Sequence, residues 1–357
     1  MTAQAEHAPH RALRIGALGA SRIADLSIIE AAAETGDELA VVAARDPERA
    51  RQYAREKGFT AAAETYEQVI ADDSLDLIYI GLPNGLHAEW TARALDAGRN
   101  VLVEKPFAAN LAEFDRVAAR LEHSTGWAWE AFHYADHPGV HRLIDLVRSG
   151  AIGEVRAIDV HMEMPDPGAD DPRWNFDLAG GTLMDLGCYA IHALLLLGDA
   201  VGDDAPGGAG LPAGAELTLE TAHVQPYAPD ARLDATVVAE LRLGGVPATI
   251  RTSMESDWNF GLRVTGSLGE VVLPNFVKPQ EDGRLIVRTT TGAGVEERVE
   301  ALGSVSSYTY QLQRIRAAVR SGERGAAGIA RSRRTMALID EIYTATGLPL
   351  RPGRLTD

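Results

Sequence analysis

A charged pair follows directly after an apolar run in the segment VLVEKPFAAN, residues 101–110. Val101–Val103 are typical of a buried strand, and Glu104 and Lys105 stand at its end, before Pro106. Proline disfavours the helical conformation of the preceding residue, so we expect Lys105 to be extended. Glu104 would favour the charged lysine, whereas partial burial would lower the lysine pKa. The pair is either a surface ion pair or a site in which Lys105 donates a hydrogen bond to a carbonyl or hydroxyl.

Three polar side chains recur at helical spacing in the apolar segment GGTLMDLGCYAIHALLLLG. Asp185, Tyr189 and His192 are four and three residues apart, a spacing that places them on one helical face. Buried polar groups need partners, and one alternative is a structural network that includes His192. In the functional alternative, Tyr189 exchanges a proton with an alcohol and Asp185 orients substrate hydroxyls. A lysine cation nearby would lower the pKa of Tyr189.

The segment GASRIA, residues 19–24, lies between a predicted strand and a predicted helix, where dinucleotide-binding proteins carry a phosphate turn. Gly19 would make the tight turn, and Ala24 would allow close packing of the helix. Ser21 replaces the middle glycine, although its hydroxyl could itself bond a phosphate. A plain strand-to-helix turn is the alternative. In the functional interpretation, the cofactor is contacted by Gly19, Ala20, Ser21, Arg22 and Ile23.

The second predicted strand ends in Ala44 and Arg45, without the carboxylate that commonly binds the ribose 2′-hydroxyl of NAD. An arginine can form a bidentate pair with a 2′-phosphate and stack on adenine. We therefore predict NADP as the cofactor, with NAD as the second choice. In the alternative, Arg45 is solvated and Asp46 only caps the next helix.

Two loops follow the predicted fourth and fifth strands, at the carboxyl ends where open α/β sheets bind ligands. The first loop, LPNGLH, has turn-forming residues, and Asn84 would either bond the cofactor or shape the turn. His87 opens a helix, a position where a structural role is common. The two loops add Pro83, Asn84, His87, Glu104 and Lys105 to the predicted cofactor-binding residues.

The pattern of elements divides the chain into two domains. Residues 1–128 alternate continuous apolar strands with helices, which predicts an α/β Rossmann domain with a doubly wound parallel sheet. Residues 129–357 contain strands of alternating polarity, which predict an α+β domain with an open, mostly antiparallel sheet for substrate binding and oligomerisation. Gly244-Gly245 predicts a two-residue hairpin turn in this domain. Two helices are expected near residues 306–320 and 329–346.

Composition limits the classes of function. The chain has 357 residues, too many for one ordinary core, and a net charge of −17, which argues against a nucleic-acid partner. No apolar run is long enough to span a membrane. The polar segment MTAQAEHAPHR is expected to be a disordered lead-in. Cys188 is the single cysteine, which fits the reducing cytoplasm, and we predict no metal site.

The ordered set of motifs resembles the Gfo/Idh/MocA family of NAD(P)-dependent oxidoreductases. The resemblance covers nearly the whole chain and rests on RIGALGASRIA, LPNGLHAEW, NVLVEKPFA, EAFHYADHP, SGAIGEV and GGTLMDLGCYAIH. The Glu-Lys-Pro segment is the most specific of these. The resemblance implies a dinucleotide-binding domain followed by an open-faced, mostly antiparallel sheet, in agreement with the pattern of elements.

The resemblance also implies roles for single residues. The family's catalytic lysine corresponds to Lys105, and its aspartate–histidine pair corresponds to Asp185 and Tyr189. Tyrosine in the second place is similar to the branch that contains glucose–fructose oxidoreductase, dihydrodiol dehydrogenase and NADP-dependent xylose dehydrogenase. The sequence departs from this branch at two positions. Ser21 replaces the middle glycine of the phosphate turn, and His133 stands where the branch commonly carries methionine. A substrate-facing His133 would alter specificity or share proton transfer.

The implied reaction is hydride transfer between nicotinamide C4 and a carbon of a sugar, polyol or related cyclic alcohol. Tyr189 would take or give the hydroxyl proton, while Lys105 would polarise the oxygen. The loop DPRWNFD would present Arg173 and Trp174 to the substrate, unless it is a packed surface loop.

Two further expectations concern partners. Family members associate through the antiparallel sheet, which implies a homodimer or homotetramer. The alternative function is a non-catalytic NAD(P)-binding sensor or regulatory protein, which would not need Lys105, Asp185 and Tyr189 together.

Overall fold

The computed structural model describes residues 11–201, 211–212, 214–292 and 294–355. Residues 1–10 of the predicted lead-in and most of the 202–214 loop therefore lie outside the described residues, whereas Arg11 is described and pairs with Asp76. The first half of the chain forms a parallel sheet of β1 (Arg14–Leu18), β2 (Glu38–Ala43), β3 (Ala61–Ala63), β4 (Leu77–Ile80), β5 (Val101–Val103) and β6 (Ala128–Glu130). The strand order β3-β2-β1-β4-β5-β6 confirms the predicted Rossmann sheet.

Helices connect these strands. They are α1 (Ala31–Thr35), α2 (Pro47–Lys57), α3 (Tyr66–Ile70), α4 (His87–Asp96) and α5 (Leu111–Leu121), and a π-helical segment, Asp25–Glu30, precedes α1. The predicted end signals of α2 are present. Asp46 accepts a hydrogen bond from the Glu48 N–H, and Gly58 ends the helix in the left-handed conformation.

The architecture changes close to the predicted domain boundary between residues 128 and 129. β6 belongs to the first sheet and extends to Glu130, so the predicted boundary falls within this strand. A 3₁₀ turn, His133–Asp136, and α6 (Pro138–Arg148) follow it.

The second half forms an eight-stranded sheet in the order β14-β13-β12-β11-β7-β10-β9-β8. Its strands are β7 (Val155–Glu163), β8 (Leu217–Tyr227), β9 (Asp230–Leu243), β10 (Val246–Ser253), β11 (Leu262–Gly266), β12 (Gly269–Leu273), β13 (Arg284–Thr291) and β14 (Gly294–Ala301). Only the β7–β10 pair is parallel, which confirms the mostly antiparallel prediction. Gly244 and Gly245 join β9 to β10 with φ of 55° and 90°, as a tight hairpin turn requires.

An apolar helix packs against β7 and β10 of this sheet. It consists of a π-helical segment, Leu183–Gly187, and α7 (Cys188–Ala200). Within the described residues, the helical stretch Phe176–Ala200 is long and apolar enough to cross a membrane, yet 94% of its most apolar window is buried inside the fold.

Further helices lie in the second half of the chain, and the last two contact the first half. They are α8 (Pro279–Asp282), α9 (Ser307–Ser321) and α10 (Ala326–Ala345). Tyr308, Leu312 and Ile315 of α9 share one buried cluster with Ile15 and Tyr79 of the first sheet. Helix α10 packs on α5 and α7. The carboxyl end of β5 is thereby held against the segment that carries Asp185.

Candidate active site

Lys105 lies just beyond β5 and contacts the π-helical segment before α7. Its ammonium group donates to Oδ1 of Asp185 and to the carbonyl oxygen of the same residue, both at 2.8 Å. The other carboxylate oxygen accepts from Nε of Arg173 at 2.6 Å. The side chains of Lys105 and Asp185 are only 12% and 10% exposed, so little solvent screens the ion pair. The fold thus brings three of the predicted site residues together.

The charges of this cluster determine its protonation. Burial alone would raise the pKa of Asp185, but Lys105 and Arg173 outweigh it and hold that pKa below its ordinary range. Burial also opposes the Lys105 cation, yet Asp185 raises the lysine pKa above its usual value. Burial thus acts on the lysine pKa in the predicted direction, but the neighbouring carboxylate outweighs it and the net shift is upward. Lys105 remains a cation at neutral pH.

Glu104 binds other partners and braces the strand end. Its Oε1 accepts from the Ser27 hydroxyl at 2.7 Å and from the Tyr79 hydroxyl at 2.9 Å. Burial raises its pKa. Glu104 is 5% exposed, so the surface ion-pair alternative does not apply. The peptide bond between Lys105 and Pro106 is cis.

Tyr189 stands one helical turn beyond Asp185. The Lys105 ammonium nitrogen lies 5.1 Å from the centre of the Tyr189 ring, and the edge of the ring packs against Phe132. Burial raises the Tyr189 pKa well above its ordinary value. The predicted lowering by lysine is thus wrong here, because withdrawal of the phenol from water outweighs the cation. At neutral pH the Tyr189 side chain is a protonated hydrogen-bond donor.

His133 contacts the predicted catalytic tyrosine from within the protein. Its Nε2 is 3.2 Å from the Tyr189 hydroxyl, and its Nδ1 is 2.8 Å from the Ser307 hydroxyl. The ring stacks on Tyr308 with centroids 3.7 Å apart. Burial lowers the His133 pKa well below its usual value, so the imidazole is neutral. His133 therefore reaches the site through Tyr189.

His192 has a different set of contacts. Its Nδ1 is 2.6 Å from the Tyr134 hydroxyl, and its ring stacks on Phe132 at 3.8 Å. Burial lowers its pKa well below the usual value. These contacts agree with the structural alternative for His192.

The turn after β1 has the shape of a phosphate cradle. Gly19 has a φ of +106°, and a Cβ there would lie 2.8 Å from the Gly81 carbonyl oxygen. Only glycine tolerates both conditions. In the described part of the chain, the Ser21 hydroxyl is buried without a hydrogen-bond partner. A phosphate oxygen would satisfy this hydroxyl, so the turn fits a dinucleotide despite the replaced glycine.

Helix α2 fastens this turn from the side. Arg49 donates to the Ala20 carbonyl oxygen at 2.8 Å, and the Tyr53 hydroxyl donates to the Ser21 carbonyl oxygen at 2.9 Å. Arg45 lies just after β2 and is exposed. Arg49 therefore brings to the turn a guanidinium that sequence reasoning missed.

The loops after β4 and β5 are cross-linked to each other and to the second half. His87 is fully buried, and its two ring nitrogens lie 2.7 Å from the carbonyl oxygens of Leu82 and Pro106. It holds the two loops together from the interior, where it has no exposed surface for a cofactor to contact. Asn84 donates to the Ala179 carbonyl oxygen at 3.2 Å, which joins its loop to the segment before α7.

A chain of alternating charges connects the phosphate turn to Lys105. Arg22 in the turn pairs with Asp171 at 2.9 Å, and Arg173 contacts the same carboxylate at 3.2 Å. Arg173 then bonds Asp185, the partner of Lys105. The loop before α7 thus bridges the two predicted binding regions.

Trp174 is packed inside this loop. Its indole stacks parallel to the Tyr227 ring at 3.9 Å, and its N–H donates to Asp166 at 2.8 Å. The residue is 7% exposed. This geometry favours the packed-loop alternative over direct contact with a substrate.

A fully buried ion pair fixes the start of the π-helical segment. Asp234 and Arg351 have no exposed side-chain area. The Asp234 carboxylate accepts from the Leu183 N–H at 2.5 Å and from the Tyr343 hydroxyl at 3.0 Å. Arg351 donates to the Gly180 carbonyl oxygen at 2.5 Å. These bonds set the position from which Asp185 extends.

Sequence reasoning missed most partners of the site residues. These partners are ordinary residue types that lie far along the chain and form no local motif. They are Ser27, Arg49, Tyr79, Asp234, Ser307, Tyr308 and Arg351.

Two family descriptions match the sequence. Residues 13–131 match the GFO/IDH/MocA oxidoreductase family with an NAD-binding Rossmann fold, and residues 140–272 match the GFO/IDH/MocA C-terminal domain. A D-xylose 1-dehydrogenase (NADP⁺) from Haloferax volcanii is 44% identical over 186 residues, which are 52% of this chain and 57% of the relative. The chain thus matches little more than half the length of that enzyme.

A longer match is found with a nucleotide-sugar enzyme. The dTDP-3,4-didehydro-2,6-dideoxy-α-D-glucose 3-reductase of Streptomyces violaceoruber is 34% identical over 85% of this chain and 86% of its own length. Among solved structures, a 3-ketoreductase from Actinomadura kijaniata in complex with NADP and TDP-benzene has a TM-score of 0.82 at 27% identity, covering 94% of this chain and 98% of that one. On these matches, the chain belongs to the GFO/IDH/MocA family of NAD(P)-dependent oxidoreductases.

Proposed function

We propose that this protein is an NADP-dependent oxidoreductase that interconverts a hydroxyl and a keto or aldehyde group on a sugar or related polyol. The observation that carries the proposal is the cluster of Lys105, Asp185 and Tyr189 beside the phosphate turn. When bound, NADP supplies the hydride donor or acceptor at its nicotinamide ring. The protein must then orient the substrate oxygen and move one proton.

Lys105 has the donor capacity to hold a substrate oxygen. An ammonium group has three N–H donors, and Asp185 occupies two of them. The third has no assigned acceptor among the described residues, and Lys105 is cationic. A carbonyl oxygen of the substrate would take this donor, and the negative charge that develops on it during reduction would be stabilised.

Tyr189 is suited to proton transfer with the same oxygen. Its raised pKa keeps the hydroxyl protonated at neutral pH, so it can give a proton to a substrate carbonyl during reduction. Oxidation of an alcohol requires the opposite transfer, to the phenolate. We therefore expect reduction to proceed at neutral pH and oxidation to accelerate as the pH rises.

A sugar substrate is supported by the relatives. The Haloferax enzyme is named for an aldose, and the Streptomyces enzyme for a dTDP-linked keto-sugar. In both named sugars, the reacting carbon has oxygen-bearing neighbours. The A. kijaniata 3-ketoreductase has also been solved with one tyrosine or one lysine replaced, in complex with NADP.

A substrate panel tests the proposal. Purified protein is assayed by nicotinamide absorbance with D-xylose, other aldoses, inositols, anhydrosugars and a TDP-linked keto-sugar, each with NADP(H) and NAD(H). We expect turnover with at least one, and loss of it in Tyr189→Phe. Cofactor binding without turnover on any member would reject the proposal in favour of a sensor.

The cofactor preference has its own test. Arg45 and Arg49 near the phosphate turn are the candidate partners of a 2′-phosphate. Arg45→Ala should weaken NADP binding by about tenfold, since a charge-assisted bond is lost, and leave NAD binding unchanged. Binding is measured by fluorescence titration of the reduced cofactors. Equal or tighter binding of NADH than NADPH by the unmodified protein would contradict the preference.

A further inference from the structure

We propose that His133 is a positioning residue for proton transfer at Tyr189. In this arrangement the imidazole Nε2–H donates to the Tyr189 oxygen, and the Ser307 hydroxyl holds His133 in the required tautomer. The inference rests on the proposed function, in which Tyr189 exchanges a proton with the substrate. It assigns His133 a role through Tyr189, without contact to the substrate.

Ser307, His133 and Tyr189 can form one continuous chain of hydrogen bonds. Ser307 Oγ lies 2.8 Å from His133 Nδ1, and His133 Nε2 lies 3.2 Å from the Tyr189 hydroxyl. His133 and Ser307 are 1% and 0% exposed, so water does not compete for these bonds. The Tyr308 ring covers the imidazole face at 3.7 Å and 22°, which fixes the ring plane. These contacts therefore hold the His133 ring in one position between Ser307 and Tyr189.

The required tautomer follows from the task of Tyr189. A neutral imidazole has one N–H, and hydrogen positions are assigned from the network. If Tyr189 donated its proton to His133, that proton could not point at a substrate. With the N–H on Nε2, the Tyr189 oxygen accepts from His133 and its own proton is directed outward. Nδ1 then accepts from the Ser307 hydroxyl, a donor well placed at 2.8 Å.

The N–H bond also makes the buried phenol a better acid. A donor that faces the oxygen stabilises the phenolate more than the phenol, and so lowers the pKa that burial has raised. During oxidation, the Tyr189 phenolate would take the substrate hydroxyl proton, and a bound oxidised nicotinamide would supply the acceptor for the hydride from the substrate carbon. His133 keeps its proton throughout.

Other ionisable groups around Tyr189 are unchanged by substitution of His133. Their effects are common to the His133 and Ser307 variants, so a pH shift between those variants reports on the His133 bond. These groups are Lys105, Glu104, Asp185, Cys188, Tyr134 and Tyr308.

The test is the pH profile of sugar oxidation by NADP, with the panel sugar that the unmodified enzyme oxidises. In His133→Leu the acid limb of kcat should move up by about one pH unit, which is about a tenfold loss of rate below that limb. The KM for the sugar and NADPH binding should change little. His133→Gln, whose amide N–H can replace Nε2–H, should return the limb towards its original position. Ser307→Ala should shift the limb upward by a smaller amount.

Tyr308→Phe is the matched control, because it keeps the ring over His133 and removes only a group that raises the Tyr189 pKa, so it should not move the limb upward. A loss of rate in His133→Leu that His133→Gln does not restore would overturn the inference and show a structural role. If His133→Leu does not fold, Ser307→Ala decides, and an unmoved limb in that variant overturns the inference. Retained turnover in Tyr189→Phe would instead reject the mechanism of the proposed function, so the two failures are distinguishable.

Discussion

Two buried ion pairs hold neighbouring parts of the segment Leu183–Gly187, and they differ in their exposure to solvent. Arg351 and Asp234 have no exposed side-chain area, and their polar atoms bond backbone groups and Tyr343. Lys105 and Asp185 keep 12% and 10% exposure, and one lysine N–H has no assigned acceptor among the described residues.

The difference distinguishes a charge that is purely structural from one that can bind a ligand. A charge pair with no exposed surface can only stabilise the arrangement around it, because no ligand reaches it. A buried charge with one donor left can bind a ligand at little cost in rearrangement, because its other bonds already fix its position. The comparison predicts that the two pairs fail in different ways when they are broken.

The largest effect is expected for Lys105→Met. Removal of the cation should lower kcat by about a thousandfold, because both polarisation of the substrate oxygen and support of the Tyr189 phenolate are lost. NADPH affinity should change far less. Steady-state kinetics and fluorescence titration measure the two quantities. Equal losses in both would show that Lys105 mainly binds cofactor.

Asp234→Ala should act on stability instead. It leaves the Arg351 charge buried without its partner, at a cost of about 3–5 kcal/mol in the free energy of unfolding. Urea denaturation measures this cost. The matched control, Asp234→Leu with Arg351→Met, removes both charges and should be less destabilised. Normal stability together with lost turnover in Asp234→Ala would show that this pair has a catalytic role instead of a structural one.

Glu130 is a half-buried carboxyl for which the described residues provide no ion-pair partner. It accepts from the Phe107 N–H at 2.7 Å and from the Ser332 hydroxyl, and burial raises its pKa from 4.5 to about 7. The folded state then binds more protons than the unfolded chain between these values, so stability falls as the pH rises through that window. Glu130→Gln should remove this loss and gain about 1–3 kcal/mol relative to the unmodified protein between pH ~5 and ~8. Parallel pH dependence in both proteins would show that Glu130 ionises normally.

The smallest effect is expected at the exposed end of the charge chain. Arg22 is 86% exposed although its partner Asp171 is buried. Arg22→Ala should change the free energy of unfolding by less than about 1 kcal/mol, because solvent screens the pair. Thermal denaturation without cofactor measures this. A larger loss would mean that the bridge across the two predicted binding regions is a main stabilising contact.

Much of the fold was predictable because it is written in local patterns. Apolar strands followed by capped helices gave the Rossmann sheet, and alternating strands with Gly244-Gly245 gave the antiparallel one. Lys105 was identifiable because it follows a strand at its carboxyl end, and Asp185 and Tyr189 because they share helical spacing. These features depend on neighbours within a few residues.

What could not be predicted depends on burial and on distant partners. The pKa of Tyr189 was expected to fall because a lysine is near. It rises instead, because the fold buries the phenol. The sequence predicted that Trp174 contacts a sugar, but the ring of Tyr227 from β8 is stacked on its indole. The Ser307 partner of His133 is 174 residues away along the chain. No local pattern specifies such contacts.

The packing of α9 on the first sheet has a consequence for biosynthesis. Tyr308, Leu312 and Ile315 complete the apolar cluster around Ile15, although they are translated about 290 residues later. A nascent Rossmann unit on the ribosome would therefore expose that apolar face until α9 emerges, and would be open to chaperone binding during this interval.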